Sequence, residues 1–161
     1  PVPALSAEEV AAYINHQLFY GFYPGISTIG GEKKPGYSTW LRYFDASRQC
    51  ERDRAVFKAA IPLIRRMNRA KWMPETLMRA GDERVLVERY GEMHAGGECL
   101  FAVRNASEAF VKTPLAFDRS PEYAGTRLQP VWRGEGLAET SDGAWVISLA
   151  PWETAVFQVL P

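Results

Sequence analysis

The chain has 161 residues, 47% of them hydrophobic and 24% charged, which fits one packed domain or a small domain with an appendage. Nineteen basic and nineteen acidic residues cancel, so no global field favours binding to nucleic acid or to an anionic membrane surface. No apolar run reaches the roughly 18 residues that a membrane-spanning helix needs.

The first predicted element is a helix that begins at a capping box. In Ser6-Ala7-Glu8-Glu9 the serine hydroxyl can accept from the backbone N–H of Glu9, whose side chain can reach back. Gly21 is the expected end of this helix. Its apolar stripe consists of Val10, Tyr13, Ile14, Gln17 and Leu18. The stripe must be buried, either on the second half of the chain or on elements outside it.

An aromatic loop follows the first helix. Residues 21–36 are rich in glycine and proline yet contain several aromatic residues, and Tyr37 and Trp40 continue the aromatic density. This composition is typical of an ordered loop that lies over a site or packs on a neighbour, rather than of a flexible linker.

The strongest helical pattern extends from about Cys50 to Ala70. One face carries Val56, Ala60, Leu63, Ile64 and Met67. The arginines lie mostly elsewhere, which indicates a solvated face rather than a nucleic-acid site. Pro62 removes one backbone donor, so we expect a kink or a local break there. Pro74 limits continuation of the helix beyond Trp72.

After Pro74 the pattern changes to short strands separated by turn residues. Strands are predicted over residues 85–90, 99–104, 110–115, 129–132, 144–149 and 154–160, with residues 76–78 as a potential seventh. The sequence therefore predicts an α+β fold. Residues 1–74 form a helical segment, with two helices and an aromatic loop, packed on an antiparallel β-sandwich formed by residues 75–161.

Several short motifs carry a family resemblance. They are Arg52-Asp53-Arg54, Ile61-Pro62-Leu63, Ala70-Lys71-Trp72-Met73-Pro74, Val87-Glu88-Arg89-Tyr90-Gly91 and Pro151-Trp152-Glu153. They resemble the carboxy-terminal region of certain glycoside hydrolases, in which a (β/α)₈ barrel ends in its last helix and a β-sandwich packs against the barrel. Residues 18–24 look like the segment near the last barrel strand, and Lys71 stands where the pattern has glycine.

The resemblance implies that residues 1–74 are the end of such a barrel. A complete barrel needs about 250 residues, so this chain holds at most its last strand–helix unit. The implied partner is the missing barrel domain, in the same protein or in a neighbouring chain.

No catalytic residue is predicted. Glycosidases need two carboxyl groups that face each other across the sugar. The candidates are Glu8, Glu9, Glu51, Asp53, Glu88 and Glu153. Each is better explained by a helix cap, a helix start or a neighbouring arginine or turn, so we expect no turnover by this chain alone.

No metal site or cofactor is predicted either. His16 and His94 each lack a second ligand at helical or hairpin spacing, and no phosphate-binding glycine motif is present. Cys50 and Cys99 could be two free thiols or one disulfide, and the compartment is left open.

Aromatic residues are the remaining functional signal, because flat rings stack on the apolar faces of sugars. The candidate carbohydrate-binding residues are Tyr23, Tyr37, Trp40 and Trp132, and the alternative is that they fill the interface between helices and sandwich. Trp145 and Trp152 are expected in the core. Two functions follow: an accessory β-sandwich of a glycoside-hydrolase-like protein that supports hydrolysis structurally, or a free-standing carbohydrate-binding module.

Overall fold

The computed structural model of the protein describes residues 6–24, 47–92, 97–118, 125–140 and 144–161, with residues 47–50 described by their backbone only. These ranges contain helix α1 (Ala7–Phe19) and helix α2 (Ser47–Ala70). The strands are β1 (Trp72–Met73), β2 (Met78–Ala80), β3 (Val85–Tyr90), β4 (Leu100–Asn105), β5 (Val111–Phe117), β6 (Arg127–Trp132), β7 (Leu137–Glu139), β8 (Trp145–Leu149) and β9 (Thr154–Leu160).

The strands form two antiparallel sheets. One has five strands in the order β1-β3-β4-β9-β6, and the other has four in the order β2-β5-β8-β7. Buried and exposed residues alternate along β5, where Val111, Thr113 and Leu115 are buried and the residues between them are exposed. Phe101, Val103 and Phe157 of the five-stranded sheet face this layer and complete the core between the sheets. The predicted α+β fold, with an N-terminal helical part and a C-terminal β-sandwich, is confirmed.

A second core lies on the outer face of the five-stranded sheet. There Tyr90, Leu100, Ala102 and Val156 contact the two helices. The helices contribute Val10, Ile14, Leu18 and Phe19 from α1, and Ala60, Leu63, Ile64 and Met67 from α2. All six residues of β4 are buried, because its two faces belong to the two cores. Val10, Ile14 and Leu18 of the α1 stripe are thus covered by α2 and by the sandwich, and burial within the chain was one of the two alternatives left open by the sequence.

Both ends of α1 follow the sequence prediction. The backbone N–H of Glu9 donates to Ser6 Oγ (3.1 Å), and the backbone N–H of Ser6 donates to Glu9 Oε2 (2.7 Å), which completes the capping box. Past the last turn, Gly21 has a φ of 66° and its N–H donates to the carbonyl of Leu18.

Helix α2 is continuous through Pro62, so the predicted local break is absent. The Pro62 side chain is exposed, and the backbone carbonyl that loses its donor can therefore be hydrated. The helix ends at Ala70, and the next residue, Lys71, has a φ of 72°, which glycine usually supplies at this position. The Lys71 carbonyl accepts from the N–H of Gly91, which leads the chain directly into β1 beside β3.

Candidate functional site

The exposed aromatic residues lead to the site. Among the described residues, the large apolar side chains with substantial exposure are Tyr20, Phe22, Tyr23, Trp72, Leu86, Phe110 and Trp152. Several of them meet where α1 ends on the outer face of the five-stranded sheet. Leu86 pairs with Arg104, and Arg104 pairs with Thr154, so these residues form one row across β3, β4 and β9. Leu86 is 39% exposed, which shows that the helices leave this end of the sheet face uncovered.

Arg104 is the polar centre of this area. It is only 6% exposed, and its Nη1 donates to the carbonyl of Trp152 and to Thr154 Oγ1, both at 3.2 Å. Its guanidinium carbon lies 6.0 Å from the centre of the Trp152 ring, a cation–π distance. Thr154 in turn donates to the carbonyl of Asn15 (2.8 Å) and joins the arginine to α1. Burial lowers the pKa of Arg104, and nearby Tyr20 opposes that effect.

The end of α1 supplies the rings. His16 and Tyr20 are in edge contact with ring centres 5.1 Å apart, and Tyr20 stacks on Phe22 at 5.9 Å and 25°. The left-handed turn at Gly21 makes this stacking possible, because it turns the chain between the two rings. The pKa of His16 is lowered by burial and further by the positive charge of Arg104.

We call the surface formed by His16, Tyr20, Phe22, Leu86, Arg104 and Trp152 the aromatic corner. It combines flat exposed rings with one buried positive charge. A separate pair lies on the edge strand β1, where Trp72 Nε1 donates to Glu88 Oε2 at 2.6 Å and the Trp72 side chain is 56% exposed.

The four sequence-predicted site residues have different positions. Tyr23 is 53% exposed just after α1. Trp132 is partly buried against the helix core, and its Nε1 contacts Asn15 Oδ1 at 3.4 Å, which fits the interface interpretation of its ring. Tyr37 and Trp40, together with most of the predicted aromatic loop, lie outside the described residues. Carbohydrate binding by these four residues stays a prediction.

The prediction for Trp152 was wrong, since the residue is 39% exposed rather than in the core. It lies in the turn between β8 and β9 at a φ of 58°, and this conformation leaves the indole on the surface beside Arg104. The expectation for Trp145 fits better, because this side chain is partly buried against the core between the sheets.

Most of the acidic residues considered for catalysis have structural partners. Asp53 accepts from Arg52 Nε and Nη2 at 2.6 and 2.8 Å, and Glu51 pairs with Arg54. Glu153 accepts from the backbone N–H of Ala150 at 2.7 Å and so closes the turn before β9. The hydrogen bond from Arg54 lowers the pKa of Glu51. This is opposite to what a general acid at neutral pH requires.

Cys99 is a free, buried thiol, and burial raises its pKa to about 11. The side chain of Cys50 lies outside the described residues, as does His94. Within the described ranges, no three His, Cys, Asp or Glu residues are grouped so that they could hold a metal ion. No helix in those ranges is long and apolar enough to cross a membrane.

Comparison with protein-family models, curated proteins and solved structures finds no match for this chain. The function must therefore be inferred from its own residues. The aromatic corner is also the part that sequence reasoning missed. The one available signal was Arg104, a charged residue that follows four apolar residues in the same strand.

Proposed function

We propose that this chain is the accessory β-sandwich portion of a glycoside-hydrolase-like protein and supports carbohydrate hydrolysis structurally rather than by catalysis. The observation that carries the proposal is the shared core of the helix pair and the sandwich. Ile14 and Leu18 of α1 and Ile64 of α2 pack directly on the outer face of the five-stranded sheet. We call α1, α2 and the core that they share with the five-stranded sheet the brace. A structural support of this kind must hold two parts at a fixed orientation, and a continuous apolar core does this.

Directional hydrogen bonds add to the apolar contact. The Tyr90 hydroxyl donates to the Phe19 carbonyl at 2.8 Å, at the end of α1. Asn68 Nδ2 donates to the Gly21 carbonyl at 2.9 Å and ties the two helices together. Arg66 of α2 pairs with Glu98 and donates to Gln158 Oε1 at 3.0 Å. These hydrogen bonds fix the orientation of the helices, and of any element attached to them, relative to the sheet.

The resemblance to glycoside hydrolases suggests what the packing of the helices on the sandwich is for. The helices correspond to the segment that resembles the end of a (β/α)₈ barrel, so the brace would connect a barrel domain to the sandwich. The proposed partner is that missing barrel domain, either in the same protein or in a neighbouring chain.

The test uses the complete product of the gene. Translation of the coding sequence upstream of Pro1 should reveal about 250 residues with alternating strand and helix patterns. The complete product should hydrolyse an aryl glycoside, and Tyr90→Phe should lower its thermal inactivation temperature without changing KM. Tyr23→Phe, at an exposed tyrosine, is the matched control. Enzymatic turnover by the isolated 161-residue chain, or an upstream sequence without that pattern, would overturn the proposal.

A second candidate is a free-standing carbohydrate-binding module. It is favoured by the exposed rings of Tyr23, Phe22 and Trp152. Glycan-array binding by the isolated chain, together with a sugar-induced change in tryptophan fluorescence, would support it. Absence of both signals would leave the structural role alone.

A further inference from the structure

We infer that the aromatic corner binds a saccharide that carries a carboxylate, such as a uronic acid residue, with the carboxylate at Arg104 and the sugar rings on the exposed aromatic side chains. This inference rests on the carbohydrate-related function proposed above and names its ligand class and its site. The site is new relative to the residues singled out from the sequence, because only the fold brings Arg104, Trp152 and the end of α1 together.

The charge of Arg104 points to an anionic ligand. A guanidinium that is buried without a carboxylate is costly, and burial of this one is reflected in its lowered pKa. Its acceptors are neutral, namely the Trp152 carbonyl and Thr154 Oγ1, and both are served by Nη1. Among the described residues, Nε and Nη2 donate no hydrogen bond. These two donors form the edge that receives a carboxylate in a bidentate pair.

The other titratable groups at the corner are compatible with this ligand. The pKa of His16, on α1, is lowered from 6.5 by burial and by the charge of Arg104, so the imidazole adds no full positive charge at pH 7. Glu88, on β3, already accepts from Trp72 Nε1, and no carboxylate contributes to the altered pKa of Arg104. At pH 7 the positive charge that a bound carboxylate meets at the corner is therefore that of Arg104.

The rings supply the carbohydrate part of the recognition. The Trp152 indole is held against the guanidinium, which fixes its plane, and its outer surface stays accessible. Tyr20, whose phenol acts on the pKa of Arg104, forms a stacked pair with Phe22 at the end of α1. Flat, prearranged aromatic surfaces near a cation suit a chain of sugars, because neighbouring units can rest on rings while one acidic group reaches the arginine.

The experiment is calorimetric titration of the isolated chain at pH 7 with trigalacturonic acid and, in parallel, with the matched neutral galactose trisaccharide. We expect the acidic trisaccharide to bind at least tenfold more tightly. Trp152→Ala should weaken its binding at least tenfold, and Arg104→Met should remove the preference for the acidic ligand. Arg79→Met is the control for the same charge change, since Arg79 is an exposed residue of β2 paired with Asp118.

The folded state of each variant is checked by circular dichroism and thermal melting. If Arg104→Met does not fold, Arg104→Lys takes its place, because it keeps the charge but loses the planar pair of donors, and it should reduce the preference for the acidic ligand. Equal affinity for the two trisaccharides, or unchanged affinity in Trp152→Ala, would overturn the inference. An effect of Arg79→Met as large as that of Arg104→Met would do the same. None of these results bears on the brace, which is tested through activity of the complete product.

Discussion

Replacement of Tyr90 by phenylalanine tests the attachment of α1 to the sheet. Tyr90 and Phe19 are each 1% exposed, and the hydroxyl of the first donates to the carbonyl of the second at 2.8 Å. Phenylalanine keeps the ring and its packing but leaves a buried carbonyl without this donor. Loss of a buried hydrogen-bond partner costs about 1–3 kcal/mol. For a chain of this length, each 1 kcal/mol corresponds to about 2–4 °C in Tm, so we expect a fall of about 2–12 °C.

The assay is thermal melting followed by circular dichroism, combined with urea unfolding. The urea midpoint should fall while the m-value stays constant, because the variant changes stability and not the area exposed on unfolding. Tyr23→Phe removes the same hydroxyl from a side chain that is 53% exposed, and it should change the free energy of unfolding by less than about 0.5 kcal/mol. Equal effects of the two variants would refute the reasoning that this hydrogen bond secures α1.

Three further predictions concern the turn after α2 and the buried thiol. Lys71→Gly should stabilise the protein by about 0.5–1 kcal/mol in urea unfolding, because Lys71 has a φ of 72°, and unchanged or lower stability would contradict this. Gly91→Ala should destabilise the protein by about 3 kcal/mol or more in the same assay. An added Cβ would clash with the Glu98 carbonyl oxygen, and the φ of Gly91 is 83°, which is strained for alanine. A loss of less than about 1 kcal/mol would contradict the structure of this turn. For Cys99, burial raises the pKa from 9.0 to about 11, so its contribution to stability is complete below pH 9.0 and declines as the pH rises through about 11. This pKa difference corresponds to roughly 3 kcal/mol of unfolding free energy. The stability of Cys99→Ala relative to the native chain should therefore rise between pH 9.0 and about 11. If the unfolding free energies of the two proteins change in parallel with pH, the thiol is not buried.

The regular elements could be predicted because their signals are local. The capping box indicated the start of α1. Each predicted strand begins and ends within two residues of an observed strand. Strands β1 and β7 were missed because two or three residues are too few to show a period. The break expected at Pro62 did not occur, because the proline sits on the exposed side of α2, where a missing hydrogen bond costs least.

The aromatic corner could not be predicted, because it depends on tertiary structure. Arg104 and Trp152 are 48 positions apart, and they meet only because β4 pairs with β9 in a particular register. Tyr20 joins them only after α1 has docked on the same sheet. A large aromatic residue such as Trp152 is usually buried, and its exposure follows from the positive φ of its turn, which the sequence does not indicate.

Both the brace and the corner require α1 and the sandwich to behave as one cooperative unit. Hydrogen exchange of the isolated chain tests this most directly, through the amides of Ile14 and Leu18 in α1 and of Ala102 and Val156 in the sheet. Because these residues share one core, their slowest-exchanging amides should open with free energies that agree within about 1 kcal/mol, and Tyr90→Phe should lower them together. Rapid exchange of the α1 amides while those of the sheet stay protected would contradict the account.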